Sequence, residues 1–201
     1  MAVSVTGILM AAGRGRRFDP LGMRNKLLQP LPRIGDDPAG GVPVVVASAR
    51  KLLAAVGRVV AVVPPDDGGV AALLADLGCD VTVCPDADSG MAASLTHALR
   101  YSLRTDPTTG AWLVGLGDMP HVAPATLAAL AAALAVGAPI AAPVMDGRRG
   151  NPVGFGAVHL EALLALHGDQ GARRLLQTCP VTEIAVRDPG IFADIDTPAD
   201  L

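Results

Sequence analysis

Aromatic side chains are scarce in this 201-residue chain, which has only Trp112, Tyr101, Phe18, Phe155 and Phe192. So few rings argue against a base-stacking platform for single-stranded nucleic acid. They also leave Ala, Val and Leu to fill the interior of a chain that is 51% hydrophobic. Lysine is rarer still: Lys26 and Lys51 are the only two among 16 cations. The formal net charge of −3 does not fit the broad basic surface of a general nucleic-acid binder. Cysteine is sparse and odd in number, at Cys79, Cys84 and Cys179, and gives no disulfide framework. With no secretory leader recognised, a reducing cytoplasm is the expected setting. Uninterrupted apolar runs of membrane-spanning length are missing too. Val122 to Met145 carries no charge, but Pro124, Pro139 and Pro143 break it and Leu127, Leu130 and Leu134 recur at helical spacing. It reads as a short amphipathic helix followed by a buried strand, and no membrane partner is expected.

What is present is alternation. Val3 to Met10 is an apolar, β-branched run feeding Ala11-Ala12-Gly13, as in a strand buried on both faces. Val44 to Val56 reads as a helix, Arg58 to Val63 as a strand, Val70 to Leu77 as a helix and Asp80 to Cys84 as a third strand. Met91 to Arg104 follows as a helix and Ala111 to Gly117 as a fourth strand. Such β-α-β alternation predicts an α/β fold with a parallel sheet covered on both faces and ligand loops at the carboxyl ends of the strands. The last third alternates less cleanly. Leu160 to His167 and Gln170 to Gln177 are predicted helices, while Thr182 to Val186 and Ile191 to Ile195 are predicted strands, antiparallel ones among them. Arg33 to Gly41 is the expected surface loop. The length fits one domain, 1–201.

Three constellations carry chemistry. Gly13-Arg14-Gly15-Arg16-Arg17-Phe18 follows a strand, and with Arg24 and Lys26 it places five of the 16 cations within thirteen residues, opposed only by Asp19. Glycines let backbone N–H groups converge on an anion, and the cations neutralise several phosphate oxygens together, so a polyphosphate is the natural ligand. A solvated basic loop is the plain alternative. No Gly-Lys-Ser/Thr closes it as a P-loop, and Phe18 stands where a dinucleotide fingerprint needs a third glycine. Gly117-Asp118-Met119-Pro120 puts an acid where a buried strand ends. Asp118 suits a Mg²⁺ ligand or a helix N-cap, although Pro124 is distant for a helix capped by it. In Asp194-Ile195-Asp196-Thr197-Pro198, an extended segment would put both carboxylates on one face, as metal ligands. Asp196 or Thr197 could equally cap a helix opened by Pro198.

In order along the chain stand Met10-Ala11-Ala12-Gly13 with Gly15, Arg17 and Lys26, then Ser89-Gly90-Met91 with Ser94-Leu95, then Gly117-Asp118-Met119-Pro120. Arg149-Gly150-Asn151-Pro152-Val153, Gly168-Asp169-Gln170-Gly171-Ala172-Arg173 and Asp194-Ile195-Asp196-Thr197-Pro198 complete the set. Together they resemble the MobA-like nucleotidyltransferases, and most closely the molybdenum-cofactor cytidylyltransferase (MocA-type) branch. The resemblance implies a Rossmann-like three-layer α/β/α sandwich with a mostly parallel sheet, of the nucleotide-diphospho-sugar transferase type. It also implies a nucleotide-binding part at about 1–120 and an acceptor-binding part at about 121–201. Carried over residue by residue, Ala11, Ala12, Gly13, Arg14 and Arg17 would line the triphosphate, Lys26 would contact phosphate, and Gly90, Met91 and Ser94 would meet base and ribose. Asp118 would bind Mg²⁺ with Asp196 or Asp194. Arg149, Asn151, Asp169 and Arg173 would face the acceptor, although Asp169 after Gly168 also makes an ordinary N-cap. Alanine at position 12 matches cytidylyl-transferring relatives, where guanylyl-transferring ones carry glycine. Two departures stand out: Phe18 to Asn25 lengthens the gap from Arg17 to Lys26, and Asn151 replaces a histidine found in many cofactor cytidylyltransferases.

The implied reaction is transfer of CMP from CTP, or of another nucleotide from its triphosphate, to a phosphorylated pterin-type acceptor, with Arg17, Lys26 and Asp118 catalytic. The product would pass to a molybdenum hydroxylase. An ionised phosphomonoester needs no general base, its second pKa being about 6. Accordingly, His97, His121, His159 and His167 suggest no triad and read as structural. Cys79 and Cys84, five apart across a strand, fall on opposite faces and make poor metal partners. A sugar-phosphate or polyol-phosphate nucleotidyltransferase and a non-catalytic cofactor carrier are the competing functions.

Overall fold

The computed structural model describes residues 2–15, 17–21, 23–32, 41–168 and 172–201. The apolar, β-branched runs become strands: β1 (Ser4–Met10), β2 (Val59–Val63), β3 (Asp80–Val83) and β4 (Thr109–Leu116). They pair parallel in the order β3-β2-β1-β4. The crossovers carry α1 (Val44–Val56), α2 (Val70–Asp76) and α3 (Met91–Thr105). Parallel strands need such connections, and the helices they bring cover both faces of the sheet.

The remainder extends the same sheet differently. After α4 (Pro124–Ala135) come β5 (Ile140–Met145), β6 (Arg148–Arg149) and β7 (Val153–Gly156), then α5 (Leu160–Leu164), α6 (Arg173–Thr178) and β8 (Thr182–Ala185). β7 inserts antiparallel between β4 and β5, while β8 runs parallel to β5. Ala141 pairs Gly154 on one side and Thr182 on the other, and Val144 likewise pairs Arg149 and Ala185. β6 and β7 therefore share one edge of β5 and β8 takes the opposite edge. The result is an eight-stranded, mostly parallel mixed sheet.

Alternation along the strands divides the core in two. Leu9, Ala61 and Leu113 pack with Leu52, Leu74 and Leu130 from α1, α2 and α4. Ile8, Val60 and Trp112 pack with Leu95 and Leu99 of α3 and Leu163 of α5. This two-residue period makes three layers, and each such fully buried Leu or Ile contributes about 1.5–3 kcal/mol. Cys79 joins the first cluster and Cys84 the second, on opposite faces as their spacing requires. The lone tryptophan is buried in the second, its indole N–H donating to Ser102 Oγ at 3.1 Å.

The predicted strand Ile191 to Ile195 does not form. Asp188 instead caps a 3-10 turn over Pro189–Phe192, its carboxylate accepting from Gly190 N. The segment's backbone bonds go to loops: Asn151 N donates to Ile191 O and Ile195 N to Asp118 O. Ile191 and Ile195 are both buried, but they anchor a coil. α5 stops at Leu164, short of His167, and α6 runs Arg173–Thr178; Gln170 lies outside the described residues, as do positions 33–40 of the expected surface loop. Among the described residues no helix is long and apolar enough to cross a membrane.

Candidate active site

The basic loop leaves the carboxyl end of β1. Gly15 adopts φ +58°, a left-handed conformation that suits glycine, and its carbonyl accepts from Phe18 N and Asp19 N. Phe18, which breaks the dinucleotide fingerprint, is buried in the first core cluster and pins the loop's far side. Two of the residues before Lys26 turn back to Asp19, whose carboxylate accepts from Leu21 N (3.1 Å) and Arg24 N (2.7 Å). Asn25 then caps a short 3-10 turn over Lys26–Leu28. The longer spacing is thereby absorbed, and Lys26 comes to lie beneath Gly15.

Lys26 is only 8% exposed, and its ammonium is the hub of the site. It donates to Asp118 Oδ2 at 2.6 Å and to Ile195 O at 2.9 Å, with Asp196 Oδ1 at 3.5 Å. Arg17, largely exposed, pairs with the other oxygen of Asp196 at 2.5 Å. On the opposite rim, Arg14 pairs through two guanidinium nitrogens with Asp88. Beside it, Gly90, in a positive-φ conformation, precedes α3, whose amino terminus has no side-chain cap and borders the cleft through Gly90 and Met91.

These elements enclose a cleft of about 430 Å³ at the carboxyl end of the parallel strands. Ala12, Gly13, Arg14, Lys26, Gly90, Met91, Ser94 and Asp118 line it. Ala11 is buried behind the wall, its N–H bonded to Val62 O. Asp88, which no motif in the sequence marks, is also part of the lining; a carboxylate within a short turn gives no pattern to find it by. Arg149, Asn151 and Arg173 are not among the lining residues. Arg149 bonds Glu183 Oε1 and Leu176 O, Asn151 precedes a cis peptide to Pro152, and Arg173 is the exposed first residue of α6. Asp169 lies outside the described residues.

Asp118 caps no helix: α4 begins at Pro124, and its first turn is served by Asp188, which accepts from Ala123 N and Thr126 Oγ1. Thr197 precedes the 3-10 turn Pro198–Asp200, and Asp200 accepts from the N–H groups of Asp196 and Thr197, leaving the Asp196 carboxylate turned to Lys26. Asp194 lines an adjacent hollow with His121, Phe192 and Asp196. Burial, followed by the nearby Asp196 and Asp118 carboxylates, pushes its pKa up.

No cluster of three or more His, Cys, Asp or Glu disposed around a metal exists among the described residues. Asp118 and Asp196 nevertheless already share one cation, the Lys26 ammonium. Mg²⁺ is commonly held by one or two carboxylates with substrate phosphates supplying further oxygens, so this all-oxygen pair fits a divalent ion that arrives with a phosphorylated ligand.

A cleft at the carboxyl ends of parallel strands, with a glycine-bearing basic loop facing acids at the next strand's end, defines an α/β protein built to hold phosphorylated ligands. The chain belongs to the MobA-like NTP transferase domain family, whose model matches residues 7–184, and is thus a nucleotidyltransferase. The crystal structure of Rv0371c from Mycobacterium tuberculosis H37Rv is similar at 30% identity and TM-score 0.79, covering 98% of this chain and 96% of that one. The same protein's complex with manganese gives 29% and 0.76 over 98% and 96%. A nucleotidyl transferase from Methanothermobacter thermautotroptrophicus gives 27% and 0.78 over 98% and 94%. None of the curated proteins matches the chain.

Proposed function

We propose that the protein transfers CMP from CTP to the terminal phosphate of a molybdopterin-type cofactor, releasing pyrophosphate. The observation that carries this reading is the convergence of Arg14, Lys26 and Asp118 on one cleft with the α3 amino terminus. Arg14, Arg17 and Lys26 hold the triphosphate with the loop backbone of Ala12 and Gly13, backed by Ala11, whose own N–H is committed to Val62 O, while Gly90, Met91 and Ser94 take base and ribose. Ala12 lines the cleft and supports CTP, since the resemblance associates alanine there with cytidylyl transfer. Asp118 and Asp196, with Asp194 adjacent, hold Mg²⁺; the manganese complex of the mycobacterial protein supports a divalent ion. When bound, that ion supplies charge neutralisation at the phosphates.

An acceptor phosphate oxygen attacks the α-phosphorus, the bond to the β-phosphate oxygen breaks, and pyrophosphate leaves. The chain's part is positioning and charge: Lys26 and Arg17 take up charge developing on the leaving pyrophosphate. Residues from about 1 to 120 serve the nucleotide and those from about 121 to 201 the acceptor, with Arg149, Asn151, Asp169 and Arg173 assigned to it. Arg149 reaches an acceptor only by loosening its bonds to Glu183 and Leu176. A cytoplasmic setting suits three free cysteines, and a molybdenum hydroxylase is the expected recipient.

The test is pyrophosphate release from CTP and Mg²⁺ with molybdopterin cofactor, alongside calorimetric titration with CTP and GTP. Release with the cofactor and preference for CTP are expected. Preference for GTP overturns the reading of Ala12. Release only with a sugar or polyol phosphate moves the acceptor, and tight cofactor binding with no release makes the protein a carrier.

A further inference from the structure

The Gly117–Pro120 turn that presents Asp118 is held from outside at three carbonyls. Ser48 Oγ donates to Gly117 O at 3.0 Å, Ile195 N to Asp118 O at 2.9 Å, and Lys51 Nζ to Pro120 O at 2.5 Å. Gly117 N closes the frame on Met10 O at 2.9 Å. Ser48 and Lys51 lie three residues apart on α1, on one face, and grip the turn on either side of Asp118. Ser48 is buried, and its hydroxyl also lies 3.2 Å from Val44 O, the usual back-bond of a helical serine. Its single proton is thus shared between its own helix and the turn.

Both lysines of the chain end on this turn, Lys26 at the Asp118 carboxylate and Lys51 at the Pro120 carbonyl. All other cations are arginines. An ammonium is compact and has three rotatable donors, so it fits one carbonyl at close quarters where a planar guanidinium fork does not. Lys51 does not line the 430 Å³ cleft, so direct contact with nucleotide is not its role.

We propose that Lys51, assisted by Ser48, is a positioning residue that fixes the Gly117–Pro120 turn and thereby sets where the Asp118 carboxylate meets a divalent cation. The proposal rests on Asp118 being a metal ligand. Removing Lys51 leaves the Ile195 and Met10 bonds in place, so the turn persists while Asp118 gains freedom. Outer partners that orient metal ligands typically alter metal affinity by about 10–100-fold when removed.

The experiment measures Mn²⁺ binding to the full-length protein with saturating CTP, by electron paramagnetic resonance, so it needs no acceptor. Lys51→Met should weaken Mn²⁺ binding by about 10–100-fold while CTP binding without metal stays unchanged. In an Asp118→Asn background, Lys51→Met should have no further effect, because the lysine acts through that carboxylate. Ser48→Ala, a smaller truncation, should move Mn²⁺ affinity in the same direction and serves if Lys51→Met does not fold. Wild-type Mn²⁺ affinity in folded Lys51→Met, or in Ser48→Ala where only that variant folds, overturns the proposal. So does an equal loss with and without Asp118. If Asp118→Asn itself leaves Mn²⁺ affinity intact, the metal reading of Asp118 falls and the proposal falls with it, a result distinct from a lysine variant without effect.

Discussion

Two clusters of cations and carboxylates sit at opposite ends of the same sheet. At the amino ends of the strands, Arg58 bonds Asp80 Oδ2 at 2.8 Å and Thr105 Oγ1 at 2.6 Å, with Asp106 Oδ2 at 3.9 Å. At the carboxyl ends, Lys26 joins Asp118 and Asp196. The lower cation precedes β2 and ties the start of β3 to the end of α3. The upper ones sit on or beside a loop, and Lys26 and Asp118 line an open cleft. Ion pairing is common to both; what separates a candidate site from a structural brace is the space beside it and the loop that bears the charge.

The largest contrast should appear in turnover. Asp118→Asn should cost about 10²-fold or more in pyrophosphate release, by analogy with removing a charge-stabilising group, whereas Asp80→Asn should leave it unchanged. Comparable losses would erase the distinction. Arg17→Ala should weaken CTP binding by roughly tenfold, the scale of one charged hydrogen bond, as read by calorimetry. Arg58→Met should do the converse, lowering urea stability by about 1 kcal/mol or less with CTP affinity intact. The smallest effect concerns acid. Hydrogen bonds from the Thr108 hydroxyl and N–H, aided by Arg58, hold Asp106 below the usual carboxylate range. A depressed folded pKa stabilises above the unfolded value of about 3.9 and is lost as pH falls through the folded one. Asp106→Asn should therefore flatten the decline of the urea midpoint below about pH 4, and an unaltered decline would remove Asp106 from the brace.

The parallel half was legible in the sequence because β1, β2 and β4 are largely buried and its helices amphipathic: Val44–Val56 matches α1 residue for residue. The acid at the end of β4 was legible for the same reason. Ile191 to Ile195 resembles a strand in its apolar pattern, yet Ile191 and Ile195 are buried without pairing, their backbone bonds serving Asn151 and Asp118. The bonds of Asp188 to α4 and of Ser48 and Lys51 to the Gly117–Pro120 turn carry no local signature, since each of them spans more than sixty residues.

Among the described residues, the cations in and beside the cleft are already ion-paired before any ligand arrives: Arg14 with Asp88, Arg17 with Asp196, and Lys26 with Asp118 and Asp196. On the proposed assignment a triphosphate therefore enters by ion exchange, trading places with carboxylates. Those carboxylates, released from Lys26 and Arg17, become free for a divalent cation. Nucleotide and metal must then raise each other's affinity by the same factor, a linkage in which neither binds well alone and each prepares the site for the other.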